Sequence, residues 1–320
     1  MTVRTVGILG TGMMGTAIAR ACAAAGCKTT IVKVTPGTCE VALAKLDQAL
    51  AREIAKSKLR EEDRQRILGN LTWSTAIEDL AACDLIIESI VEDLLKKQEY
   101  LETLDEIAKE STIFASNTST LCIAQLAAAT RRSERFLGLH FFNPVHLMKL
   151  VEVVPTLATR AEVVAAASEL VRSLGKTPVV VRDATGFVVN RLLVPYLLDA
   201  VRALESGLAP LEAIDQSMQL GCGYPMGPFA LADYIGLDIV FAMAENLYQE
   251  FKEPRFAPPP LLRRLVLAGM VGKKKQKGFY DYTSEPARAN AALTRPPAGG
   301  SVTGDEEQPT RTALKAAELR

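Results

Sequence analysis

The chain is short of the residues that do most acid–base, metal and redox work. It has two histidines in 320 residues, His140 and His146, with one tryptophan and six cysteines. The cysteines stand at positions 22, 27, 39, 83, 122 and 222, and none forms a CxxC pair. That spacing excludes a zinc ribbon and offers no disulfide framework, so reduced thiols and a cytoplasmic setting are expected. Long hydrophobic runs are also missing, and nothing approaches the ~20 unbroken apolar residues of a membrane-spanning helix. The first apolar run, residues 6–9, runs straight into glycines and is too short for an export signal. No charge of one sign dominates: 37 basic residues balance 37 acidic ones, so no overall field favours nucleic acid or a membrane surface. With only two histidines, the search for a side chain that exchanges protons near neutral pH is short.

What is present is a globular composition, 48% apolar and 23% charged. The length suits two domains of about 150 residues each. Residues 3–9 read as a buried strand, 13–25 as an Ala-rich helix closed by Gly26, and 29–34 as a second, β-branched strand. Strand, glycine turn, helix and strand make one βαβ unit. Helical patterns at 42–57, 61–68 and 94–109 alternate with apolar strands at 84–88 and 112–115. Two further apolar segments, 136–142 and 150–154, precede a helix at 161–174 and a strand at 177–181. This alternation predicts an α/β fold: an N-terminal doubly wound Rossmann domain on a parallel sheet, residues 1–182. From Asp183 onward the pattern is helical, at 187–205, 210–220, 228–251 and 261–268, which predicts an all-α C-terminal domain over 183–282. Residues 283–320 shift to Ala, Pro, Thr, Gly and charge, and are expected to form a disordered low-complexity tail.

Gly10-Thr11-Gly12-Met13-Met14-Gly15 follows the first strand and opens the first helix. In that context GxGxxG is a dinucleotide-binding turn. Gly10 permits the tight turn, Gly12 lets backbone N–H groups approach a pyrophosphate, and Gly15 lets the helix pack close to the strand. The helix N-terminus, with Met13 and Met14 in its first turn, then faces the anion. The acidic residue expected for the adenosine ribose should end the second strand, but Lys33 stands there. A lysine cannot accept a 2′-hydroxyl proton, whereas it can pair with a 2′-phosphate, with hydroxyl donors from Thr35 and Thr38. The cofactor is therefore expected to be NAD or NADP. The other reading has Lys33 pointing into solvent beside the adenine.

Two apolar segments each carry one polar interruption: His140 within 136–142, and Glu152 within 150–154. An unpaired buried carboxylate costs several kcal/mol. A short connection allows the two segments to lie side by side, so that Glu152 meets His140, orients the imidazole and raises its basicity. A purely structural buried pair satisfies the same pattern. His146 follows a proline in the connecting loop and reads as ordinary. Ser116, Asn117, Thr118, Ser119 and Thr120 cluster after the fourth strand-like segment, at the sheet edge where ligands bind in this architecture. Ser119 is placed to donate to a substrate oxygen, although helix capping by Ser119 or Thr120 accounts for part of the cluster. Asn190 is an amide on an otherwise apolar helix face near the predicted domain junction.

Together these segments resemble the L-3-hydroxyacyl-CoA dehydrogenase family over residues 3–282. The resemblance rests on Ser116-Asn117-Thr118-Ser119, His140-Phe141-Phe142-Asn143-Pro144, Leu150-Val151-Glu152, the run from Gly186 to Arg191, Tyr224-Pro225-Met226-Gly227-Pro228 and Gly278-Phe279-Tyr280. It implies His140 as catalytic base, Glu152 as its partner, Ser119 as the oxyanion contact and Asn190 on the substrate side. It implies coenzyme contacts from Asn117, Ser119, Glu92, Lys97, Asn143 and Lys274, and a homodimer joined through the helical domain. Lys56 and Lys58 are candidates for the phosphates of CoA. Two positions depart from the family pattern: Lys33, and Gln276 where a glycine usually precedes Gly-Phe-Tyr.

The expected activity is nicotinamide-dependent interconversion of a short-chain 3-hydroxyacyl-CoA and its 3-oxoacyl-CoA. The same chemistry on an acyl-carrier-protein thioester remains an alternative, because both carriers present the same pantetheine arm. A non-catalytic nucleotide-binding protein is a second alternative. A sugar-acid dehydrogenase branch fits the segment from His140 to Pro144 less well. No metal, nucleic acid or membrane is expected among the partners.

Overall fold

The computed structural model describes residues 2–294. In chain order its strands and helices are β1 (Thr5–Leu9), α1 (Met13–Ala24), β2 (Lys28–Val32), α2 (Glu40–Ala55), α3 (Glu61–Gly69), β3 (Leu71–Ser74), β4 (Leu85–Glu88), α4 (Leu94–Ile107), β5 (Ile113–Ser116), α5 (Ile123–Ala127), β6 (Phe136–Phe141), β7 (Leu150–Pro155), α6 (Ala161–Ser173) and β8 (Thr177–Val180). There follow α7 (Val189–Glu205), α8 (Leu211–Cys222), α9 (Pro228–Ile235), α10 (Leu237–Phe251), α11 (Pro260–Leu267), β9 (Tyr280–Asp281), β10 (Arg288–Ala289) and α12 (Ala291–Thr294).

Strands β1 to β8 form one sheet in the order β3-β2-β1-β4-β5-β6-β7-β8. The order reverses beside β1, as a doubly wound Rossmann sheet requires. The pairs from β3 to β6 are parallel. β7 then runs antiparallel to β6, and β8 parallel to β7, so the last two strands depart from the all-parallel expectation. A short loop joins β6 to β7, and only an antiparallel pair can be closed that way.

Alternation along the strands divides the core between the two sheet faces. Val6, Ile8, Ile87, Ala115 and Leu139 pack with Ile18 and Cys22 of α1 and Val163 and Val171 of α6. Leu9, Ile86, Phe114 and Phe136 pack with Leu101 and Leu104 of α4 and Leu126 of α5. Each Val, Leu, Ile or Phe side chain among them, taken fully from water, stabilises the fold by about 1.5–3 kcal/mol.

Among the assignments that differ from the sequence pattern are β3 and the break between α9 and α10. β3 escapes the pattern because its four residues, Leu71 to Ser74, are only half covered at the sheet edge. The apolar run over 228–251, which reads as one helix, is two: Gly236, at φ +106, lies outside helical geometry and separates α9 from α10.

The described residues divide into two compact units, residues 2–202 with 239–263, and residues 203–238 with 264–294. The second unit is tied together by two buried carboxylates. Asp215 accepts from Phe229 N, Ala230 N and Tyr280 Oη at 2.8, 3.0 and 2.9 Å. Asp233 accepts from Phe279 N, Tyr280 N and Tyr282 Oη at 2.9, 2.8 and 3.1 Å. Burial pushes the Asp233 carboxyl up to about 6 despite these donors.

Residues 283–294, placed in the tail by composition, carry β10 and α12. The buried Asn290 anchors them, its Nδ2 donating to Gly278 O at 2.7 Å. The remainder of the expected tail, 295–320, lies outside the described residues. Among the described residues no helix is long and apolar enough to cross a membrane, and no cluster of side chains could hold a metal ion.

Candidate active site

The glycine turn forms as its spacing predicts. Gly10 adopts φ +114, and a Cβ there would lie 2.5 Å from Ser89 O; a Cβ on Gly15 would lie 2.0 Å from Gly10 O. Both positions therefore exclude any side chain. A Cβ on Gly12 would meet nothing within 4 Å, so open space faces this part of the turn. Gly12 is the N-cap of α1, no side chain caps the helix, and its first turn holds no acidic residue. Free first-turn N–H groups, the helix dipole and no competing carboxylate fit a pyrophosphate. Met13 is exposed and Met14 half-buried in that turn.

Just past β2, the Lys33 ammonium is held by its own loop. It donates to Thr35 O at 2.5 Å, to Thr35 Oγ1 at 2.8 Å, and to Pro36 O. These contacts occupy all three donors and fold the 33–37 loop around the side chain. Thr38 is exposed.

Leu9, Glu88, Ser116 and Gly138 lie in one row across β1, β4, β5 and β6, at the C-terminal edge of the parallel strands. β6 continues past this row and carries His140 beyond it. The antiparallel partner β7 sets Glu152 directly opposite His140. His140 Nδ1 lies 2.7 Å from Glu152 Oε2, with the two residues 6% and 1% exposed. Glu152 Oε1 accepts Val188 N and Val189 N, both at 3.0 Å, from the start of α7. Every contact to this carboxylate comes from nitrogen. In a neutral ring, donation to this carboxylate places the proton on Nδ1 and leaves the lone pair on Nε2. Phe142 and Phe187 flank the imidazole, with ring centroids at 4.4 and 5.5 Å. Among the described residues Nε2 has no hydrogen-bond partner.

A second network builds the loop that carries Ser119. Lys97, on α4 and 1% exposed, reaches Glu88 Oε1 at 2.6 Å and Glu92 Oε2 at 3.3 Å. Glu88, wholly buried, also accepts Ile90 N at 2.7 Å and Ser116 Oγ at 2.5 Å. Glu92 Oε1 accepts Thr118 Oγ1, Ser119 N at 3.1 Å, Thr120 N at 3.3 Å and Thr120 Oγ1 at 3.2 Å. Burial opposes ionisation of Glu92, but Lys97 and the loop donors outweigh it and hold its carboxyl below the usual glutamate range. Asn246 of α10 adds a bond from Nδ2 to Thr120 Oγ1 at 3.2 Å. Asn117 joins the two networks: its Oδ1 accepts Phe141 N at 2.9 Å and its Nδ2 donates to Ser89 Oγ at 3.3 Å.

The remaining expected site residues are dispersed, as is His146, which the sequence left without a role. Asn190 is buried in the first turn of α7, and its amide has no partner among the described residues. Asn143 is exposed just past β6, and His146 is exposed in the loop that follows. Lys56 and Lys58 are exposed in the connection between α2 and α3. Lys274 belongs to the second unit and pairs with Asp238 at 2.6 Å. Lys97 and Asn117, expected as coenzyme contacts, spend their polar atoms on the chain itself. Glu88 and Phe187 escape the sequence reading. Glu88 was open to detection, since a carboxylate ending the run Leu85-Ile86-Ile87 carries the same signal as Glu152.

Residues 5–184 match the family model for the 3-hydroxyacyl-CoA dehydrogenase NAD binding domain, and residues 186–282 match that for the C-terminal domain. The chain belongs to the 3-hydroxyacyl-CoA dehydrogenase family. A 3-hydroxybutyryl-CoA dehydrogenase of Mycobacterium tuberculosis is 43% identical over 282 residues, covering 88% of this chain and 99% of that protein. The mitochondrial hydroxyacyl-coenzyme A dehydrogenase of Sus scrofa is 44% identical over 288 residues, covering 88% and 91%. The crystal structure of (S)-3-hydroxybutyryl-CoA dehydrogenase from Ralstonia eutropha superposes with a TM-score of 0.85 at 44% identity, covering 88% of this chain and all of that one. The doubly wound domain followed by a helical one is thus the architecture of this 3-hydroxyacyl-CoA dehydrogenase family, and the nicotinamide cofactor follows from its NAD binding domain.

The buried Glu88–Lys97 pair makes a direct prediction. Glu88→Ala strands the Lys97 ammonium and should destabilise the protein by about 3–5 kcal/mol in urea unfolding followed by circular dichroism. A loss under about 1 kcal/mol, as for a surface pair, would show that the network does not hold the edge together.

Proposed function

We propose that the chain interconverts a short-chain 3-hydroxyacyl-CoA and its 3-oxoacyl-CoA, with His140 Nε2 as the proton acceptor. The observation that carries this reading is the His140–Glu152 pair, set past the same sheet edge at which the glycine turn lies. Relatives named for 3-hydroxybutyryl-CoA support the substrate class. A bound nicotinamide coenzyme supplies the hydride acceptor or donor.

The chain's own residues move the proton and hold the substrate oxygen. Nε2 takes the proton of the 3-hydroxyl in the oxidative direction. Glu152 keeps the other nitrogen protonated and stabilises the imidazolium that forms. In reverse the imidazolium protonates the alkoxide. Ser119 and Asn190 offer hydrogen-bond donors to that oxygen, and Phe142 and Phe187 keep water from the ring.

His140→Gln should lower turnover of acetoacetyl-CoA with reduced coenzyme by about 10²–10⁴-fold. Coenzyme affinity, read by fluorescence titration, should hold. Full activity in the folded variant would remove His140 from the base role.

The coenzyme reading is finer. Without a carboxylate at position 33, the acceptor that this fold offers the ribose diol is missing, and so is the charge that would repel a 2′-phosphate. The Lys33 ammonium, although saturated by its loop, still leaves a positive charge there. The chain therefore takes NADP(H) as well as NAD(H). Lys33→Asp restores the diol acceptor and opposes the phosphate, so the ratio of NADH to NADPH affinity should rise about tenfold or more. An unchanged ratio would show that position 33 does not set coenzyme choice.

A further inference from the structure

Two consecutive residues ahead of α7 adopt left-handed backbone geometry, Gly186 at φ +77 and Phe187 at φ +46. The glycine is at ease there. A bulky residue at positive φ is strained, and it persists only where its surroundings over-determine it. Phe187 is so determined from several sides. Its side chain is 3% exposed and packs into the core cluster with Ile123, Leu126, Val154 and Val181. Gly186 is pressed against α10, where a Cβ would come within 2.9 Å of Leu247 Cδ2. The two amides after Phe187, those of Val188 and Val189, both reach Glu152 Oε1. The Phe187 ring itself lies 5.5 Å from the His140 imidazole, tilted by 54°.

These contacts share one cause. The left-handed turn swings successive N–H groups toward a single carboxylate oxygen and turns the intervening ring onto the imidazole that the other oxygen holds. Ordinary helical or extended geometry at 187 would separate the two effects. Strained backbone of this kind gathers where a site needs pre-organisation.

We propose that Phe187 is a positioning residue for the proton-transfer step: its strained backbone aims α7 at Glu152 while its ring walls the His140 imidazole. The proposal rests on His140 as the base. Asn190 sits three residues further along, in the first turn of the same helix, so the turn also sets where its amide stands.

The test compares Phe187→Gly, Phe187→Leu and His140→Gln in the full chain. Glycine relieves the backbone but removes the wall, whereas leucine keeps most of the bulk and the strain. Phe187→Gly should stay folded by thermal melt and lose about tenfold to a hundredfold in kcat with acetoacetyl-CoA. Its KM and its coenzyme affinity by fluorescence should stay within about threefold, and the pH profile of kcat should move. Phe187→Leu should recover most of the loss. Wild-type kcat and pH profile in folded Phe187→Gly would overturn the proposal. So would parallel losses of kcat, KM and coenzyme affinity in both variants, which mark a purely structural role. Should Phe187→Gly fail to fold, Phe187→Leu decides alone: near-wild-type kcat with a displaced pH profile upholds the proposal, and an unmoved profile overturns it. Retained activity in His140→Gln would instead overturn the base assignment beneath it.

Discussion

The carboxylate of Glu152 is the point on which the site depends. A glutamate this deeply buried, 1% exposed, is costly to charge unless donors surround it. It has three: the His140 ring nitrogen on one oxygen and two successive amides of the α7 entry on the other. The arrangement makes one side chain the common origin of two structural elements. β6 delivers the imidazole, the turn into α7 delivers Phe187 and α7 itself Asn190, and Glu152 on β7 fixes both. Moving any of the three leaves a buried charge short of a partner, so the geometry is held by the cost of disturbing it.

The edge beside this pair uses the same physics with a different set of charges. Lys97 lies between Glu88 and Glu92, and Glu92 in turn gathers the hydroxyl and amide donors of residues 118–120. The Ser119 loop owes its conformation to this network. Asn117 links it to β6 through Phe141 N, one residue past His140. Both networks lie in the first compact unit. Within it, Nε2 of His140 and the amide of Asn190 are without a hydrogen-bond partner among the described residues, as a proposed proton-transfer site would need them.

Much of this is legible in the residues alone, and the physical reasons are specific. The glycine turn shows because Gly10 and Gly15 stand where no side chain fits. The His140–Glu152 pair shows because a single polar residue in each of two buried strands demands compensation. Glu88 sends the same signal, but its partner Lys97 comes from α4, and no local spacing foretells that contact. Lys33 is visible as a departure, whereas its capture by Thr35 and Pro36 depends on how a five-residue loop turns. Phe187 is invisible for another reason. An apolar residue does not announce a positive φ, and only the glycine before it hints at the turn. The break at Gly236 is hidden likewise, since apolar periodicity runs on through it.

The most direct test concerns which imidazole nitrogen holds the proton. With ¹⁵N-labelled histidine there are only two rings to assign, and His140→Gln identifies the one that matters. At a pH where the ring is neutral, the expected spectrum places the proton on Nδ1 and leaves Nε2 bare, with Glu152→Gln disturbing that preference. A proton resident on Nε2 in the wild-type protein would contradict both the orienting role of Glu152 and the basic role of His140.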